Sequence, residues 1–266
     1  MKKTIKHICY AIAIGFVAFL LLGVSFSFLF SEKIEDAVIQ NLTNQAENKI
    51  EVQKVEFKIF ENFPYSSVSI SNLYIKESEK FEGDTLLFAK KADIRFSIIK
   101  FLLKQITIDN ISIIDGKVSL KIDANNNKNY NVLAKSDKKN KALKLNKIEL
   151  INTNFEFESS KIQSKISLNC SKINITVRNE KELNLQINGK AYSQEITVYE
   201  KNYIENKKLE LNLNYSLIDR KSILKSSVLQ IENLDFLIDG SFDSKNIIKL
   251  DFEGNEHSIS SLMQHT

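Results

Sequence analysis

A mainly β fold is predicted: an N-terminal transmembrane helix and an amphipathic helix, then a long twisted antiparallel β-sheet curled into an open groove. Three observations carry this. Ile8 to Phe30 contains no Asp, Glu, Lys or Arg. Ile34, Val38, Leu42, Ala46 and Ile50 then recur every four residues. From Lys54 onward apolar residues alternate with polar ones, and period two puts one side-chain class on each face of a strand. The expected divisions are 1–30 (cytoplasmic tip and signal anchor), 31–53 (capping helix) and 54–266 (repeating β-unit).

At ~1.5 Å per residue the run from Ile8 to Phe30 makes about 34 Å of helix, enough for a hydrocarbon core of ~30 Å. Lys2, Lys3 and Lys6 precede it, while Glu32, Glu35 and Asp36 outnumber Lys33 after it. That asymmetry places the N-terminus in the cytoplasm and the rest of the chain outside. The run is too long for a cleaved leader, and Ser25-Phe26-Ser27 is a poor cleavage site, so the anchor is expected to stay. The periodic segment that follows, with Ser31 as its N-cap, has an acidic to neutral polar face. Packing on the sheet suits it better than lying on lipid.

The strands are clearest between Ala89 and Leu133. Ile106, Ile108, Ile111, Ile113, Val118, Leu120 and Ile122 share one face, and Thr107, Asp109, Ser112, Lys117, Ser119 and Lys121 the other. Asp115-Gly116 is the expected turn between two such strands. IIKFLLK (98–104) breaks the alternation and predicts one helical turn. Asn125 to Lys141 predicts an exposed polar loop. Further alternating runs follow to Phe252, punctuated by Asn188-Gly189 and Asp239-Gly240, for about fifteen strands in all. With only 7 Gly and 1 Pro, turns fall to Asn, Asp, Lys and Ser. A sheet that wide, roughly 70 Å at ~4.8 Å per strand, must curl, split or close. A sandwich, an outer-membrane barrel and an open trough are the available forms; a barrel lacks its cleaved leader and aromatic girdles here.

No enzyme is predicted. G-x-S-x-G, P-loop, G-x-G-x-x-G and H-E-x-x-H sequences are all absent. His7 lies beside the anchor and His257 and His265 lack Cys or acidic neighbours at ligand spacing, so neither a metal nor a cofactor is expected. A net charge of +4, with both signs interspersed, gives no nucleic-acid footprint. Cys9 lies in the anchor and Cys170 near the end of a strand, both as small apolar fillers with no disulfide between them.

The chain resembles the N-terminal module of AsmA-like proteins, related in architecture to chorein-domain and TamB-type bridge proteins. The residues that carry the resemblance are the anchor and helix, Phe63-Pro64 ahead of Ser67-Val68-Ser69-Ile70, and Ala89-Lys90-Lys91-Ala92-Asp93-Ile94-Arg95. Leu102-Leu103-Lys104-Gln105-Ile106-Thr107-Ile108, Ile114-Asp115-Gly116-Lys117-Val118-Ser119-Leu120 and Asn129-Tyr130-Asn131-Val132-Leu133 follow, and Tyr215 to Gly240 matches the later strands. The resemblance implies an inner-membrane-anchored, periplasm-exposed β-groove that carries lipid between membranes or supports outer-membrane biogenesis. Its partners would be a phospholipid or other acyl lipid, the inner membrane through residues 8–30, and envelope proteins. Family members are longer, which implies a shortened or truncated member.

Each buried methylene contributes ~0.8 kcal/mol, so an aliphatic lining holds acyl chains without polar pockets. The candidate lining residues are Ile106, Ile108, Ile111, Ile113, Val118, Leu120, Ile122, Phe155, Phe157, Leu168, Ile175, Leu185, Leu211, Leu213, Phe236 and Ile238. The alternative is a non-transporting envelope protein, structural or assembly-regulating, whose apolar face is closed into a β-sandwich core.

Overall fold

A computed structural model describes residues 50–62, 65–81, 84–97, 99–100, 107–130, 144–179, 182–219, 221–242 and 248–254. The expected anchor, all three histidines and Phe63-Pro64 lie outside the described residues. Among those described, no helix is long and apolar enough to cross a membrane.

The strands are β1 (Ile50–Glu51), β2 (Lys54–Asn62), β3 (Tyr65–Lys76), β4 (Thr85–Ser97) and β5 (Thr107–Ile122). β6 (Lys144–Leu145), β7 (Lys147–Ser159), β8 (Ser164–Asn179) and β9 (Leu183–Val198) follow. β10 (Lys201–Ile218), β11 (Lys221–Ile231), β12 (Leu234–Phe242) and β13 (Ile248–Glu253) complete the order. All belong to one sheet, running β1-β3-β4-β5-β7-β8-β9-β10-β11-β12-β13, with β2 also on β3 and β6 also on β5.

The mainly β expectation holds, with corrections. The sheet is open and uncurled: all its substantial strand–strand contacts join sheet neighbours. It is mixed, because β5 pairs in parallel with β6 and β7. A parallel pair needs a long connection, and the Asn-rich segment after Ile122 supplies it. That segment is not simply exposed, since Asn129 is wholly buried. The amphipathic helix cannot extend to Gln53, for Ile50 and Glu51 pair with Ile75 and Tyr74 and the Gln53 N–H donates to the Ser71 carbonyl at 3.1 Å. Of the expected turn at 98–104, Ile99–Lys100 is helical, and the rest lies outside the described residues.

The three expected breaks do not break. Asp115-Gly116, Asn188-Gly189 and Asp239-Gly240 lie inside β5, β9 and β12, which is why the strands among the described residues are longer than expected. Cys170 is likewise interior to β8.

A change of parity in the apolar pattern explains how long strands keep one greasy face. In β3 the apolar side chains shift from Val68 and Ile70 to Leu73 and Ile75. In β4 they shift from Leu87 and Ala89 to Ala92 and Ile94, and in β5 from Ile111 and Ile113 to Gly116 and Val118. β7 and β8 do the same across Asn152 and Ser171. Yet the pairing is continuous: Ile70, Ala92, Ile113, Leu150 and Ile173 stand opposite one another in turn, as do Leu73, Ala89, Gly116, Thr153 and Cys170. Directly paired residues project to the same side. Each of these five strands therefore carries one extra residue at the same level.

Asn72, Asp115 and Asn152 meet this by adopting left-handed φ values of 49°, 50° and 47°. Asn and Asp tolerate that region better than other non-glycine residues. A bulge in one strand alone bends it against its neighbour. Here neighbours share the insertion, so the ladder stays in step. The line ends at β9, where Cys170 pairs with Ala191 and Lys172 with Lys190, leaving Ser171 unopposed.

Candidate functional site

The sheet's apolar face is the first candidate. One row runs Phe57, Val68, Ile94, Ile111, Ile148, Ile175, Ile187 and Leu213, each paired with the next. A second runs from Val55 and Ile70 through Ile113, Leu150 and Ile173 to Gly189, Leu211, Leu229 and Phe236. Beyond the line of insertions, Ile75, Leu87, Val118, Phe155 and Leu168 form a third. Leu120, Phe157, Ile166, Ile196 and Ile204 form a fourth.

These rows bring together most of the predicted lining. Ile113, Phe236 and Ile238 are buried. Ile108, Ile111, Val118, Leu120, Ile122, Phe155, Phe157, Leu168, Ile175, Leu185, Leu211 and Leu213 are half-buried. Ile106 lies outside the described residues. Val55, Ile70, Leu87, Ile94, Ile148, Ile173 and Ile187 share the face and were not among the predicted residues, although their alternation is just as regular. Small residues sit where the insertion line crosses: Ala89, Ala92, Cys170 and Ala191 are all buried. Burial pushes the Cys170 thiol up to about 11, so it stays protonated and inert at neutral pH.

The opposite face is a hydrogen-bonded polar ribbon. Ser69 Oγ donates to Asp93 at 2.5 Å, and Lys91 reaches the same carboxylate at 2.6 Å. Glu149 accepts from Asn110 Nδ2 at 2.7 Å, Ser112 Oγ at 2.9 Å and Lys147 Nζ at 2.7 Å. Burial opposes its charge, but those three donors outweigh burial and hold the carboxyl at about 2. A depressed carboxylate stabilises the fold above its unfolded value of 4.5, and that stability is lost as pH falls from there towards 2. On the order of 3 kcal/mol of unfolding free energy is expected to disappear over that range from this group. Urea titrations of wild type and Glu149→Gln across pH 6 to 2 (a flatter slope is expected for the variant) check it.

A third polar cluster closes one end of β3, β4 and β5. The Glu77 side chain has no exposed surface and accepts from Lys121 Nζ at 3.1 Å and Asn129 Nδ2 at 2.9 Å. Asn129 also takes the Lys121 backbone N–H at 2.7 Å and donates to the Ser119 carbonyl at 2.9 Å. Burial works against the Lys121 charge, but Glu77 and Asp84 together raise its pKa. Every polar group of this cluster is committed to another, so it is a structural clamp. Among the described residues no group of His, Cys, Asp and Glu is placed to hold a metal.

No protein-family model matches the chain, and no curated protein matches it either.

Proposed function

We propose that this is an inner-membrane-anchored, periplasm-facing protein whose apolar β-face binds lipid acyl chains and contributes to lipid transfer or outer-membrane biogenesis. The observation that carries the reading is the face itself: four rows of aliphatic and aromatic side chains across one sheet, with all strands among the described residues in that same sheet. Apolar patches beyond a few hundred Å² call for a ligand or a partner. The rows are aliphatic and aromatic, so they favour acyl chains of many lipids over one specific head group. Residues 8–30 are the proposed anchor, and no chemical step is involved.

A second reading has its own support. Val55, Ala89 and Phe236 are essentially inaccessible, at 1%, 0% and 0% exposure. A face already this covered fits an envelope structural protein whose apolar side is closed against protein.

Ile108→Asp and Leu120→Asp separate the two, both residues being half-buried. Full-length protein purified in mild detergent is expected to carry phospholipid detectable by mass spectrometry. Each variant is expected to stay folded by circular dichroism and to lose most of that lipid. Unfolded variants, or wild type free of lipid, would favour the second reading.

A further inference from the structure

The wet face of β8, β9 and β10 carries a second site. Thr176 pairs with Gln186 and Gln186 with Asn214; two residues along each strand, Arg178 pairs with Asn184 and Asn184 with Ser216. Paired positions, and positions two apart, project to one side. These six side chains thus form two adjacent rows, and together with Leu185 and Tyr215 they line a cavity of about 560 Å³. Arg178 is the one charged residue of the lining, and no lining residue is acidic.

Several lysines of this face are placed differently, each beside a carboxylate. Lys91 is held by Asp93 at 2.6 Å, Lys117 by Glu156 at 2.8 Å, Lys147 by Glu149 at 2.7 Å and Lys190 by Glu210 at 3.2 Å. The Arg178 side chain has no carboxylate partner among the described residues, and the Thr176 hydroxyl and Gln186 amide have no hydrogen-bond partner among them. The neighbouring groups are already committed and make a fixed floor: Ser216 Oγ donates to Asn184 Oδ1 at 2.6 Å, and Asn214 Nδ2 to the Ser226 carbonyl at 3.2 Å. Of the acids nearest in sequence, Glu180 lies outside the described residues, and Glu182 and Asp219 flank β9 and β10 outside the strands.

We propose that this cavity binds a phosphate ester. The guanidinium fork of Arg178 matches two phosphate oxygens, a geometry an ammonium cannot reproduce. Thr176 and Gln186 supply donors for further oxygens, which a carboxylate, with only two, would leave idle. Asn214 Oδ1 and the remaining lone pair of Ser216 Oγ are acceptors for the hydroxyls of an alcohol portion. The phosphate comes from a soluble polyol phosphate or from a phospholipid head group; the recognising chemistry is the same. The site lies on the face opposite the acyl-binding one and does not depend on that reading.

Calorimetric titration of the full-length protein in detergent tests it, with inorganic phosphate, glycerol 3-phosphate and a short-chain phosphatidylglycerol as probes. Saturable binding of glycerol 3-phosphate is expected, weakened at least about tenfold in Arg178→Gln. Lys172→Gln, which removes a charge from the same face outside the cavity lining, is expected to leave it unchanged. Displacement of glycerol 3-phosphate by the lipid assigns the head group as source; binding of the free ester alone assigns the soluble one. Because Arg178 is exposed, its variant should fold, and Gln186→Leu, with the same expected direction, serves if it does not. Absence of saturable binding for all three probes, or equal affinity in a folded Arg178→Gln, overturns the proposal.

Discussion

Gly116→Ala is expected to unfold the protein or to lower its stability by several kcal/mol, more than the usual ~1–3 kcal/mol of an overpacked core. A Cβ there would lie 2.2 Å from the Phe88 carbonyl oxygen and 3.1 Å from the Ala89 Cα, both backbone atoms of the adjoining strand. Backbone in the middle of a sheet cannot step aside without breaking the β4–β5 ladder. Gly189 sits at the same line of insertions, with 2.0 Å to the Lys172 carbonyl oxygen and φ at +146°, so Gly189→Ala should be at least as harmful. Asp115→Gly is the informative control. Its residue already occupies the left-handed region, where a non-glycine residue costs roughly 1–2 kcal/mol, so glycine should be tolerated. Circular dichroism and urea midpoints decide: a Gly116→Ala protein within 1 kcal/mol of wild type would mean the insertion line is not a close backbone contact.

The same line marks the limit of what the sequence disclosed. Alternation identified the sheet and its greasy face, because period two is a local property that each strand declares alone. Asp115-Gly116 misled, since the dipeptide that favours a two-residue hairpin also fits a single left-handed residue inside a continuing strand. Only pairing tells them apart: Ile113 still meets Ala92 and Val118 still meets Leu87. The matched insertions at Asn72 and Asn152 lie far away in sequence, and no local pattern shows that they share a level. The parallel β5–β7 pair had left a trace, because the Asn-rich connection is longer than any hairpin needs. The phosphate-ester cavity left none. Thr176, Arg178, Asn184, Gln186, Asn214 and Ser216 come from three strands and look like ordinary outward-facing positions until the register aligns them.

Glu77→Ala is the other substitution with a large expected effect, a loss of about 3–5 kcal/mol. Its carboxylate is wholly enclosed, and removing it strands two groups that cannot turn to water. Lys121 keeps a charge on a side chain only 26% exposed, with just Asp84 at 3.5 Å in reach, itself 66% exposed and weakly coupled. Asn129 loses one of the two acceptors of its amide N–H groups, keeping the Ser119 carbonyl, while remaining fully buried. Glu77→Gln retains an acceptor for Lys121 but aims a second amide at Asn129, so it should fall between wild type and alanine. Replacing Glu77 and Lys121 together by Met removes both charges, and should recover much of the single-variant loss because no unpaired ion is left behind. Urea unfolding of wild type, Glu77→Met, Lys121→Met and the double variant gives the coupling energy directly. A double variant as unstable as the sum of its single replacements would show that Glu77 and Lys121 act independently, leaving the end of β3, β4 and β5 to be held by Asn129 and the ladder alone.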